Sequence, residues 1–300
     1  MATSRPRVLL ATCADLPTSD GDDDALPPAL RAVGVDAAFA PWDDPGAGFA
    51  EADLVVLRAT WDYTDRLSEF LAWCETVPNL ANPARVVRWN TDKSYLADLA
   101  SAGLPVVPTE VVSPGAEPSS WPDDEVVVKP AVGAGSRGAR RFRPEQRAAA
   151  EEHLAALHAD GRTALVQPYQ PAVDTEGETA LVYLGGVFSH AFNKGPMLAE
   201  STPANPVDGS GLFVTERLKP AEPDPAQRAL AEDVLDEVCA RFGLRHRAEL
   251  LYARVDVVRG ARGPLLLELE LTEPSLGFRQ TDGNAPMRFA SAVRALLARS

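Results

Sequence analysis

Several things are scarce in this 300-residue chain, and each scarcity excludes something. Nowhere do 18 apolar residues follow one another, so no membrane-spanning helix is expected. The apolar run at residues 8–13 is too short for the core of a signal peptide, and Asp15 interrupts it. Cysteine is rare: Cys13, Cys74 and Cys239 lie far apart and are odd in number, which fits neither a disulfide framework nor a zinc site and makes a reducing cytoplasm the simplest location. Basic residues are outnumbered, 29 Lys and Arg against 43 Asp and Glu, for a net charge of −14. That balance argues against nucleic-acid partners, whose phosphates need a basic surface, and against anionic membrane surfaces. Two phosphate-binding fingerprints are also missing from where they would be diagnostic. The turn after the first apolar run lacks G-x-G-x-x-G, and no stretch reads G-x-x-x-x-G-K-[ST].

What remains is a chain 45% hydrophobic and 24% charged, normal for a globular protein and long enough for two or three lobes. Apolar periodicity in the first eighty residues alternates between strands (8–11, 36–40, 54–57) and helices (24–33, 65–74), the grammar of a small parallel sheet. A connector at 78–85 leads to a helix with Asn90 or Thr91 as cap and Gly103 as stop. Strands are then expected at 105–112, 126–128, 165–169, 180–184 and 187–192, the last two joined by Gly185 and Gly186 as a hairpin. Helices are expected at 145–159 and 226–242, paired strands at 249–258 and 265–271, and a last helix near 287–298. No internal repeat is visible. The Pro/Gly/Ser-rich stretch at 196–211 reads as a loop able to act as a lid.

Two segments carry chemistry. Lys129 ends a strand and is followed by Gly133, Gly135, Ser136 and Gly138, a loop whose amides could wrap phosphate oxygens. An ordinary glycine-rich hairpin fits this segment equally well. In the second segment, period-two alternation puts Glu268 and Glu270 on one strand face, and Arg254 and Asp256 on one face of the preceding strand. A hairpin register that sets Asp256 near Glu268 would gather three hard oxygen ligands, a set suited to Mg²⁺. Alternating charge is also what a water-exposed strand face shows, and for an isolated strand pair that is the commoner case.

Taken in order, Lys93, Val127-Val-Lys-Pro with Gly133 to Gly138, Gln167-Pro-Tyr169, Asp256 and Glu268-Leu-Glu270 resemble the ATP-grasp enzymes over about residues 85–280. Bacterial glutathione synthetase is similar in detail: Gln167-Pro-Tyr169-Gln-Pro-Ala precedes Glu176-Gly-Glu178, and Glu268 to Pro274 follows. The resemblance implies an α/β ATP-grasp fold with a Rossmann-like N-terminal lobe at 1–84, a central lobe at 85–165 and a C-terminal lobe at 166–300. It implies ATP and Mg²⁺ as cofactors: Lys93 and Lys129 on phosphates under Gly133 to Gly138, Gln167, Tyr169 and Gln170 around adenine, Glu178 on the ribose, and Lys194 near the γ-phosphate. Asp256, Glu268 and Glu270 would hold the metal, with Glu270 replacing the family's usual asparagine. Arg254, beside Asp256, joins the expected catalytic set.

Arg58-Ala-Thr-Trp-Asp-Tyr63 together with Arg88-Trp-Asn-Thr-Asp-Lys93 resembles the branch containing D-cycloserine synthetase, an O-ureido-D-serine cyclo-ligase of antibiotic biosynthesis. An amino-acid-like small-molecule substrate is therefore expected, its carboxylate meeting Arg58, Arg66 or Arg279 and its ammonium Asp62. Trp61 and Tyr63 could equally just cover the end of the sheet. An intermolecular amide ligase, a phosphotransferase and a nucleotide-binding protein without turnover are the alternatives, and association into a homo-oligomer stays open.

Overall fold

The computed structural model describes residues 5–198, 208–214 and 216–299; the loop expected at 196–211 lies largely outside the described residues. The N-terminal unit begins with β1 (Arg7–Thr12), α1 (Leu26–Ala32), β2 (Asp36–Pro41), β3 (Leu54–Leu57), α2 (Leu67–Thr76) and β4 (Leu80–Ala81). Its strands form a parallel sheet in the order β2-β1-β3-β4. Every residue of β3 is buried, as parallel strands covered on both faces require. Pro27 and Pro28 fall in the first turn of α1, where a missing amide hydrogen costs nothing.

Two short helices follow, α3 (Ala84–Asn90) and α4 (Tyr95–Ser101). The single helix expected to start at Asn90 or Thr91 is corrected here: Asn90 closes α3, its side chain spent on the Leu269 carbonyl and the Leu271 amide. The central unit contains β5 (Glu110–Val112), β6 (Val126–Pro130), β7 (Arg140–Phe142), α5 (Arg147–Ala159) and β8 (Ala164–Pro168), an antiparallel sheet in the order β5-β8-β6-β7 covered by α5.

The C-terminal unit contains α6 (Ala172–Glu176), β9 (Glu178–Leu184), β10 (Val187–Lys194), β11 (Leu218–Ala221), α7 (Pro225–Phe242), β12 (Tyr252–Gly260), β13 (Gly263–Glu270) and α8 (Ala285–Leu297). Its sheet runs β11-β10-β9-β12-β13, antiparallel throughout. Gly185 and Gly186, both at positive φ, make the tight β9–β10 turn. Asp224 caps α7 through a reciprocal pair with Gln227, and Gly243 ends it in the left-handed region.

This third sheet organises the molecule. On β9, Leu181 and Tyr183 face a core built with α3, α4 and α7, while Ala180, Val182 and Leu184 face one shared with β1, α1 and α8. The expected lobe boundaries shift accordingly. α3 and α4, expected in the central lobe, pack on the C-terminal sheet, and residue 165 falls inside β8, which belongs to the central sheet through Pro168.

Candidate active site

A cleft of about 480 Å³ opens where the central sheet, the C-terminal sheet and the N-terminal unit meet. The β12–β13 hairpin supplies its acidic floor. Its register sets Arg254 opposite Glu270 and Asp256 opposite Glu268, with a bulge just before Glu268. Ligand oxygens of Asp256, Glu268 and Glu270 lie within 4.8 Å of one another. Asp256 is fully buried beneath the cleft and accepts hydrogen bonds from Arg254 Nε (2.9 Å), Arg254 Nη2 (2.9 Å) and Lys194 Nζ (2.7 Å). Glu270 pairs with Arg254. Lys93 reaches both Glu268 (3.1 Å) and the carbonyl of Gly133.

This packing of charge separates the carboxyls. Burial opposes ionisation of Glu268, but Lys93, Lys129 and Lys194 outweigh it and hold that carboxyl at about 2. Burial pushes Glu270 the other way, up to about 8, with Glu268 and Asp256 adding to the shift and Arg254 opposing it. Lys129 lies in the same field: burial lowers its pKa, and Glu268 recovers only part of the loss. Lys93 is raised, because Glu268 and Glu270 outweigh its burial.

The glycine loop forms the roof. Gly133, Gly135 and Ser136 line the cleft, whereas Gly138 does not; it closes the turn at φ +76°. Gly135 is at φ +57° with Phe213 Cα 2.6 Å from where a Cβ would stand, and its carbonyl accepts from Val214 N. Arg137 reaches across to Thr64 and Asp65 of the N-terminal unit. Phe213 in turn meets Trp61 edge-on at 5.1 Å. Roof, cleft and N-terminal unit are thus held together by contacts.

Between the sheets, Val107, Val127, Val173, Leu198 and Leu267 make an apolar slot beside Tyr169. Gln167, paired across β6–β8 with Val127 and bonded to Thr109, lines it together with Gln170. Tyr169 donates to Asp174 and carries Arg141 over its ring at 3.5 Å. Glu178 lies opposite Lys194 on β9–β10 and pairs with it at 2.9 Å.

The substrate residues expected in the N-terminal unit need correction. Arg58 is 2% exposed, forked onto Asp23 and donating to the Pro274 carbonyl, so it is an interior ion pair. Asp62 accepts from the Trp42 indole and from Arg66, and Arg66 is taken up by Asp43 and Glu69; none of the three lines the cleft. Arg279 does line it, with its backbone amide on Asp22 and its guanidinium against Gly21. Beside it stand residues that sequence reasoning did not select: Asp20, Tyr63, Glu216, Glu273 and Ser275. Asp20 follows the carboxyl end of a parallel strand, where α/β folds place ligands, and that position was its only signal. His190 is bonded to Ser189 and the Leu276 carbonyl and holds a loop.

Residues 8–82 match the family model of the N-terminal domain of D-cycloserine synthetase DcsG. Along 299 residues the chain is 39% identical to the cycloserine biosynthesis protein DcsG of Streptomyces lavendulae, covering 95% of this chain and 96% of that one. The crystal structure of D-cycloserine synthetase DcsG superposes with a TM-score of 0.86 at 36% identity, over 97% of this chain and 99% of the other. The D-alanine–D-alanine ligase of Bacillus anthracis in complex with ATP shares the fold, with a TM-score of 0.63 at 11% identity over 99% and 98%.

Proposed function

The chain belongs to the D-cycloserine synthetase family and is an ATP-dependent ligase of the ATP-grasp type, and from that premise we propose that it closes O-ureido-D-serine to D-cycloserine. The observation that carries this reading is the pairing, in one cleft, of a cation-lined acidic floor with a wall bearing Arg279, Asp20 and Glu273. Adenine would lie in the apolar slot beside Gln167, Tyr169 and Gln170, with Glu178 at the ribose. The phosphates would then extend under Gly133, Gly135 and Ser136 toward Lys93, Lys129 and Lys194. Asp256, Glu268 and Glu270 suit a magnesium ion, being hard oxygen donors grouped within 4.8 Å. Such an ion, when bound, supplies positive charge against the transferring phosphoryl group.

Arg279 binds the amino-acid carboxylate and Asp20 its ammonium, taking over the roles expected of Arg58 and Asp62. A carboxylate oxygen attacks the γ-phosphorus, while Lys129, Lys194 and Arg254 offset the charge that develops. The acyl phosphate then meets the nitrogen attached to the side-chain oxygen, and the five-membered ring closes because both groups belong to one molecule. One water then cleaves the bond from the ring nitrogen to the carbamoyl carbon; the nitrogen keeps a proton and the carbamoyl group leaves as carbamic acid, which breaks down to CO2 and ammonia.

The test is product formation. With ATP, Mg²⁺ and O-ureido-D-serine, purified protein is expected to release phosphate and D-cycloserine together without an added amine. Phosphate release only on addition of a second amine would instead favour intermolecular ligation. Lys129→Ala and Glu268→Gln are each expected to lower turnover at least about 100-fold while the circular dichroism spectrum is unchanged. Near-normal turnover in either would remove the site assignment.

A further inference from the structure

The expected catalytic set contains no group to take a proton from the attacking nitrogen, and ring closure needs one. When N–H adds to the acyl carbon, the C–N bond forms, the C–O bond to phosphate breaks and the nitrogen's proton must leave. Resting on the cyclo-ligase reading, we propose that the Glu273 carboxylate is the general base that receives this proton, held in place by Tyr63 as a positioning residue.

The geometry favours Glu273 over its neighbours. It is 7% exposed yet lines the cleft, between the acidic floor, three residues earlier at Glu270, and Ser275 and Arg279 at the amino-acid wall. Among the described residues no lysine or arginine forms an ion pair with it, unlike Asp256, Glu268 and Glu270, which cations occupy. The Tyr63 hydroxyl stands near enough to the carboxylate to lower its pKa, and the Trp61 indole donates to the Glu273 backbone carbonyl, so one segment of the N-terminal unit meets both ends of the residue. Tyr63 is itself clamped, stacked on Phe70 at 5.1 Å.

The surroundings suit a base working near neutrality. Burial pushes Glu273 up to about 7, aided by Glu268 and opposed by the Tyr63 hydroxyl, Lys93 and Arg254. Glu270, Tyr252 and Cys74 are the other titratable groups facing it. Its protonated form can later return the proton to departing phosphate or water.

Glu273→Gln separates activation from closure. Hydroxylamine, which traps acyl phosphates without help from a base, is added to wild type and variant with ATP, Mg²⁺ and O-ureido-D-serine. The variant is expected to form the hydroxamate at the wild-type rate, while D-cycloserine formation falls at least about 100-fold. Equal cyclisation by both proteins would overturn the proposal alone, and loss of hydroxamate in the variant would place Glu273 before closure and overturn it too. Wild type that gives hydroxamate but no cycloserine would overturn the cyclo-ligase reading and the proposal with it. Should Glu273→Gln fail to fold, Tyr63→Phe gives an independent reading. It removes a hydroxyl that lowers the carboxyl pKa, so the acid limb of kcat, where activity falls as the base protonates, is expected to move to higher pH. An unmoved limb would contradict the assignment.

Discussion

Single residues divide into those the sequence exposed and those only the fold could assign. Lys93 stood out through the family resemblance, and Lys129, Glu268 and Glu270 as charges set between apolar neighbours at a strand end or on one strand face. Arg58 stood out for the same reason and its role was misread, since nothing local tells an arginine aimed at a ligand from one buried on an aspartate 35 residues away. Arg58 and Asp23 have side chains 1% and 2% exposed, so truncating either leaves a buried charge without its partner. Arg58→Ala is expected to lower unfolding free energy by about 3–5 kcal/mol, measured by urea denaturation. A loss of substrate affinity with no loss of stability would return Arg58 to the substrate site.

At the scale of elements, patterning served best where the environment was uniform. Strand β3, buried on every side, and the hairpin of β9 and β10 with its two glycines were legible, as was the capped helix α7. Patterning misses helix α3 and begins α4 too early, because the break between them is set by Asn90 reaching a strand 179 residues further on. The short α6 and β11 gave no period long enough to see. The glycine-rich segment could be read as a plain hairpin, and β6 and β7 do pair as one, but its roof function rests on contact with Phe213 and Thr64. Gly135→Ala would put a Cβ 2.6 Å from Phe213 Cα at a left-handed φ, costing about 1–2 kcal/mol in backbone strain alone. A rise of about tenfold or more in the KM for ATP is expected, beyond what the strain alone takes from stability. An unaltered KM would mean that the roof does not bear on the nucleotide.

The whole molecule explains the scarcity of basic residues. A net charge of −14 is compatible with gripping a polyphosphate because the necessary cations, Lys93, Lys129, Lys194 and Arg254, are gathered in one cleft. Lys93, Lys194 and Arg254 are held there by the acids of the floor. The C-terminal sheet makes this possible. One face packs against α3, α4 and α7, the other meets the N-terminal unit, and its acidic hairpin lies where all three units converge. Sequence order picked out the residues proposed for the nucleotide; those proposed for the amino acid, drawn from positions 20, 63, 273, 275 and 279, come together only once the chain is folded. The central claim is that ATP activates the substrate's own carboxylate in that cleft. It is tested most directly with O-ureido-D-serine carrying ¹⁸O in both carboxylate oxygens, by mass spectrometry of the phosphate released. One ¹⁸O per phosphate, formed in step with D-cycloserine, is the expected result; unlabelled phosphate accompanying product would contradict it.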